Sequence, residues 1–171
     1  MKEKIETELK FSVKNPMRLF KELSKVIKKP PKVFYVLDEI YGAGGGYKEE
    51  KIRKRTVFHS GKTKIIYEKT KWLGGKIKKV KEKKINGFAK QLKLENSYEK
   101  IRFFYKVRDY DICIDFYPIG VFLEIEGDTT RIKEIARKLG FSLEDNIKEN
   151  IDFYYRKKYG DKNDHWRFGN F

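Results

Sequence analysis

The sequence predicts an α+β domain, an antiparallel meander or barrel buttressed by helices, and three observations carry that expectation. The 171-residue chain suffices for one well-buried core but not for two, so a single domain is expected over residues 1–171. Its middle is a succession of short β-branched and aromatic runs joined by turns, without a helix after each, which favours antiparallel neighbours over a parallel sheet. Capped segments of helical periodicity flank this succession near both ends. Apolar residues at 39% and aromatics at 15% are enough for a core, while 39% charged residues and a mean hydropathy of -0.74 demand a wet surface.

Taken in order, Ile5 to Phe11 alternates, so a strand puts Ile5, Leu9 and Phe11 on one face and Glu6, Glu8 and Lys10 on the other. Pro16 suits a helix start, and Leu19, Phe20, Leu23, Val26 and Ile27 recur at helical spacing until Lys28-Lys29-Pro30-Pro31 stops them. Val33 to Tyr41 reads as a strand closed by the turn Gly42-Ala43-Gly44-Gly45-Gly46. Further strands are expected at Lys51 to Phe58, Thr63 to Thr70, Lys76 to Ile85, Lys100 to Arg108, Asp111 to Phe116 and Val121 to Glu126. Asp128 or Thr129 caps a helix that turns Ile132, Ile135, Ala136 and Leu139 inward and ends at Gly140. Ser142 caps another, expected from Leu143 to about Tyr159. Residues 160–171 are polar and aromatic, and read equally as a lid, a dimer contact or a flexible tail.

Several classes of function are excluded early. No run approaches the roughly 18 apolar residues of a membrane span, and MKEKIETELKF has acids where a signal peptide has an apolar core. A lone cysteine, Cys113, forms neither an internal disulfide nor a cysteine-based zinc site, so a reducing, cytoplasmic setting is expected. Charge is uneven: residues 48–108 hold 21 Lys or Arg against 6 Asp or Glu, while the rest holds 20 against 19. A surplus confined to one stretch points to a local polyanion site, although genome composition or growth at high temperature would also produce a basic bias.

Charges also share faces. Glu6 with Glu8, and Glu124 with Glu126, stand two residues apart, so each pair aims one way from its strand. Arg53 with Arg55, and Lys100 with Arg102, repeat that spacing in cations. If the strands curl with these residues inward, acids and bases converge, a costly arrangement without a ligand. Carboxylates about 4 Å apart repel by roughly 4 kcal/mol at an effective dielectric near 20, which calls for a cation between them. Oxygen ligands suit Mg2+ or Mn2+, and a metal-bound polyphosphate suits the Lys and Arg side chains.

Glu6-Thr7-Glu8-Leu9-Lys10 resembles the amino-terminal Glu-x-Glu-x-Lys signature of the CYTH family, the triphosphate tunnel metalloenzymes. Asp38 to Tyr41, Ile52-Arg53-Lys54-Arg55, Lys69, Lys100-Ile101-Arg102 and the block Asp115, Gly120, Phe122, Glu124, Glu126 follow in the order of that family's elements. The interval from Asp115 to Gly120 departs from the pattern, as do the Gly42 to Gly46 loop and the lysine-dense residues 78–84, which leaves the inward-facing members among Lys79, Lys81, Glu82 and Lys83 undecided. The resemblance implies an antiparallel β-barrel forming a tunnel and buttressed by helices, in which Glu6, Glu8, Asp115, Glu124 and Glu126 hold Mg2+ or Mn2+. It implies that Lys10, Arg53, Arg55, Lys69, Lys100 and Arg102 hold phosphate oxygens, with Glu6, Glu8 and Lys10 at the chemistry.

The activity so implied is metal-dependent hydrolysis of an inorganic, nucleotide or thiamine triphosphate. Its rival within the family is a class IV adenylate cyclase making cyclic AMP and pyrophosphate. A rival outside it is a noncatalytic domain binding RNA or another polyanion through the basic middle. No membrane partner is expected, and the sequence is silent on whether the chain forms a homodimer. The glycine run lacks a P-loop ending, His59 and His165 lack metal spacing, and Cys113 reads as a packed, inert thiol, although its alternation with Asp111 and Asp115 turns it to the tunnel side.

Overall fold

Strand alternation and helix capping build the architecture. The computed structural model describes residues 4–42, 50–74, 78–85, 92–160 and 165–169. In chain order the elements are β1 (Lys4–Ser12), α1 (Pro16–Val26), β2 (Lys32–Gly42), β3 (Lys51–His59), β4 (Lys62–Gly74), β5 (Lys78–Ile85), β6 (Lys93–Lys106), β7 (Tyr110–Tyr117), β8 (Gly120–Gly127), α2 (Thr129–Lys138), a 3-10 turn (Leu143–Asp145), α3 (Ile151–Tyr159) and β9 (His165–Trp166). The first eight strands pair antiparallel in the order β2-β3-β4-β5-β1-β8-β7-β6, and β2 pairs with β6 as well as with β3. The succession of pairings thus returns to its start, and the sheet curves into a tunnel-like wall.

One side of that wall carries the core. On β1, Leu9 and Phe11 face outward with Leu123 and Ile125 of β8 and Ile112 and Ile114 of β7, all fully or almost fully buried. They meet Leu19 and Leu23 of α1 and Ile132, Ile135 and Ala136 of α2. Each such leucine, isoleucine or phenylalanine side chain contributes about 1.5–3 kcal/mol by leaving water, which holds both helices to the sheet. Asn15 caps α1 by accepting from the Arg18 N–H at 3.0 Å, with Pro16 in the first turn as expected. Asp128 caps α2 by accepting from the Thr130 and Arg131 N–H groups at 2.9 and 3.2 Å. Gly140 follows α2 at φ 84, a left-handed conformation that glycine adopts without strain.

Three departures from expectation bear on the site and the core. The helix expected from Leu143 is only a 3-10 turn at first, and α3 begins at Ile151. Between them the chain docks on β1, where the Lys10 N–H donates to Asn146 Oδ1 at 2.9 Å and the Ile147 N–H donates to the Lys10 carbonyl at 2.7 Å. Backbone spent on β1 cannot continue a helix. β6 starts at Lys93 rather than Lys100, because it pairs along β2 from Gly42 to Lys32. The terminal segment, for which a lid, a dimer contact and a flexible tail were equal readings, adds β9 in parallel to Ser97 and Tyr98 of β6. Trp166 is fully buried there and stacks on Tyr155 with ring centroids 4.4 Å apart. Among the described residues no helix is long and apolar enough to cross a membrane.

Candidate functional site

On β1 to β4 and β6 to β8 the face opposite the core lines the tunnel, and its charges meet as cross-strand neighbours. Lys10 of β1 lies opposite Glu124 of β8, which lies opposite Cys113 of β7. Arg102 of β6 lies opposite Asp115, Arg55 of β3 opposite Asp38 of β2, and Arg53 opposite Glu68 of β4. Directly opposed residues are the natural contact pairs of an antiparallel sheet, so register alone sets these partnerships.

The contacts are short. Lys10 Nζ is 2.7 Å from Glu124 Oε1 and 3.8 Å from Glu8 Oε1. Asp115, at 0% exposure, accepts from Lys100 Nζ at 2.7 Å and from Arg102 Nε and Nη2 at 2.6 Å each. Arg102 Nη2 also donates to Glu124 Oε2 at 2.6 Å, and Lys100 Nζ donates to the Tyr117 hydroxyl at 3.1 Å. Arg55 grips Asp38 at two points, 2.7 and 2.9 Å, while Arg53 places two donors on Glu68 Oε2 at 3.1 and 2.6 Å. Cys113 Sγ and one carboxylate oxygen each of Glu124 and Glu126 lie within 4.8 Å of one another.

Burial and pairing pull the titrations in opposite directions. Burial works against the Lys10 ammonium, but Glu124 and Glu8 outweigh it and hold its pKa above the ordinary lysine value. Burial likewise opposes the Asp38 carboxylate, yet Arg55 at two points holds it well below the usual carboxylate range. Glu68 is lowered in the same way by Arg53 against its burial. Lys100 is the exception: burial first, then the neighbouring Arg102, lowers its pKa in spite of Asp115 and Glu124. Burial raises the Cys113 thiol well above its ordinary value, and the Arg102 guanidinium only partly offsets this. The tunnel is thus a largely buried, pre-charged surface in which cations are held in place by acids.

Most of the expected site residues with described side chains converge here. Glu8, Lys10, Arg53, Arg55, Lys100, Arg102, Asp115 and Glu124 lie in the ionic lining, and Glu126 lies beside Glu124. Asp115 and Glu124, both expected among metal ligands, have both oxygens engaged by cations, Asp115 by Lys100 and Arg102 and Glu124 by Lys10 and Arg102. Lys69 does not join: with Glu68 turned inward, the next residue points outward, and Lys69 Nζ meets Glu50 Oε1 at 2.7 Å with the two side chains 41% and 52% exposed. Glu6 lies in β1, but its side chain is outside the described residues, as are those of Lys79, Lys81, Glu82 and Lys83 and the loop residues 43–49. Asp38 and Glu68 were missed as partners of Arg55 and Arg53; an acid inside the apolar run Val36-Leu37-Asp38 was the available signal for the first. His59 Nδ1 lies 2.7 Å from the Val33 carbonyl and His165 Nδ1 lies 2.8 Å from Ser97 Oγ, away from the ionic lining.

No protein-family model matches the chain, and no curated protein matches it in sequence. Solved structures do match in shape. Protein PH1819 of Pyrococcus horikoshii OT3 superposes with a TM-score of 0.71 at 18% identity, over 90% of this chain and 99% of that one. A candidate adenylate cyclase of Vibrio parahaemolyticus gives 0.64 at 16% identity, over 89% and 98%. The Hippeastrum candidate adenylyl cyclase HpAC1, described as having a dominant triphosphatase activity, gives 0.55 at 14% identity, over 91% and 96%. At these identities the likeness is one of fold, and this chain has the fold of those structures.

Proposed function

We propose that this chain is a CYTH-type enzyme whose tunnel binds a triphosphate with Mg2+ or Mn2+ and hydrolyses its terminal phosphoanhydride. The observation that carries the reading is the buried lining itself, in which Lys10, Arg53, Arg55, Lys100 and Arg102 interleave with Glu8, Asp115 and Glu124 inside one wall. Burying so many ions gains little stability over an apolar core, so a functional return is required. Enzyme relatives in shape, including the triphosphatase of Hippeastrum, support that return being chemistry on a triphosphate.

In this account Arg53, Arg55 and Arg102 present guanidinium forks that match phosphate oxygens, and Lys10 and Lys100 add point charges. Asp38, Glu68 and Asp115 act as positioning residues, holding those cations ready before the substrate enters. The donor set of Glu124 and Glu126, with Glu8 across Lys10, suits a hard divalent ion. A bound ion of this kind supplies charge neutralisation and polarises water. Glu8 accepts a proton from water as the water oxygen bonds to the terminal phosphorus; the bond from that phosphorus to the bridging oxygen breaks, and that oxygen leaves on the diphosphate end. Lys10 and the arginines stabilise the charge gathering on the departing oxygens.

The test is to incubate purified protein with tripolyphosphate or ATP plus magnesium or manganese and to resolve the products. Orthophosphate that disappears with Glu8→Ala or EDTA supports hydrolysis. Cyclic AMP with pyrophosphate would replace hydrolysis by cyclisation in the same tunnel. Absence of turnover, with salt-dependent RNA binding that survives Glu8→Ala and EDTA, would overturn the enzyme reading in favour of a polyanion-binding domain.

A further inference from the structure

We propose that Cys113, Glu124 and Glu126 form a site in the tunnel for a thiophilic divalent ion of the zinc class. The site shares Glu124 and Glu126 with the metal-holding role proposed above, but ion binding there requires neither a triphosphate nor turnover. Two observations meet. The antiparallel register of β7 and β8 sets Cys113 opposite Glu124 and Asp111 opposite Glu126, which brings a sulfur and two carboxylate oxygens within 4.8 Å of one another. Independently, the thiol is 1% exposed and free of any disulfide, and among the described residues it makes no hydrogen bond. A buried sulfur that makes no hydrogen bond and lies within 4.8 Å of two carboxylate oxygens is a lone-pair donor placed to join them on one ion.

The donor types suit zinc better than magnesium. Zinc bonds sulfur at about 2.3 Å and carboxylate oxygen at about 2.0–2.2 Å, so donors of one tetrahedral centre stand roughly 3.5 Å apart, inside the 4.8 Å within which the three donor atoms lie here. A mixed sulfur and oxygen set favours Zn2+, Co2+ or Cd2+, whereas Mg2+ takes oxygen alone. On binding, the sulfur–metal bond replaces the sulfur–hydrogen bond and the proton leaves to solvent, with no change of oxidation state. The ion also competes with Lys10 and Arg102 for Glu124, whose two oxygens they contact, and with Mg2+ for Glu124 and Glu126.

Cobalt is the spectroscopic probe, titrated alone into the full chain without phosphate. The wild type is expected to develop a near-ultraviolet thiolate-to-cobalt charge-transfer band that Cys113→Ser lacks. Glu126→Gln keeps the sulfur and is expected to weaken cobalt binding by at least about tenfold, which keeps the test open should the serine variant fail to fold. Cobalt bound without that band, or bound equally by wild type and Glu126→Gln, overturns the site. A band in wild type with no triphosphate turnover supports this site and overturns the hydrolytic reading. Turnover without a band does the reverse.

Discussion

Replacing Asp115 by asparagine preserves its shape and removes the charge that Lys100 and Arg102 share. Asp115 is fully buried and takes three donors from those two cations at 2.6 to 2.7 Å. Breaking a buried pair by deleting one partner costs about 3–5 kcal/mol. Arg102 keeps its contact with Glu124, so the lower end, about 3 kcal/mol, is the appropriate figure. For a chain of 171 residues that corresponds to a fall in melting temperature of about 6–12 °C, measured by circular dichroism or calorimetry. Tripolyphosphate returns anionic oxygens to the same cations, and at about 100 times its Kd a ligand adds about 2.7 kcal/mol. It should therefore raise the melting temperature of Asp115→Asn more than that of wild type. A fall of less than about 2 °C, or an equal response of both proteins to tripolyphosphate, would refute the claim that these cations are buried and aimed at phosphate.

Three further outcomes are expected. Asp38 and Glu68 have folded pKa values below their ordinary ones, so their stabilisation is complete above the unfolded values near about 4 and is lost as pH falls through the folded values; urea unfolding against pH should show this, and Asp38→Asn should flatten it, whereas an unchanged acid slope would contradict the pairing. Lys69→Ala should leave tripolyphosphate affinity within about twofold while Arg53→Ala weakens it by at least about tenfold, since a hydrogen bond to a charged group contributes about 1.5–3 kcal/mol; equal effects in calorimetric titration would place phosphate on the outer face instead. Trp166→Ala should destabilise by about 3–5 kcal/mol in chemical denaturation, and a loss under about 1 kcal/mol would mean that the terminal segment is not docked on β6.

Where charge and apolarity alternate cleanly, the sequence was enough. β1 and β8 each set apolar residues against acids at a period of two, so the facing of Glu8, Lys10 and Glu124 followed directly. Lys69 failed because Glu68 and Lys69 are both charged, and only the register that opposes Glu68 to Arg53 decides which one turns inward. Asp38 and Asp115 were visible as acids, but their roles as anchors of Arg55, Lys100 and Arg102 depend on cross-strand pairs distant in sequence. The same limit explains α3: local periodicity runs on from Leu143, while the hydrogen bonds that interrupt it come from Lys10, far away along the chain. Parity within a strand is local information, and register between strands is not.

Crystals grown with tripolyphosphate and manganese, examined by anomalous scattering at the manganese edge, put the central claim to its sharpest test. The account predicts a phosphate chain inside the wall against Arg53, Arg55, Lys100 and Arg102, with manganese beside Glu124 and Glu126. Phosphate bound only on the outer face, near Lys69 or elsewhere, would contradict it.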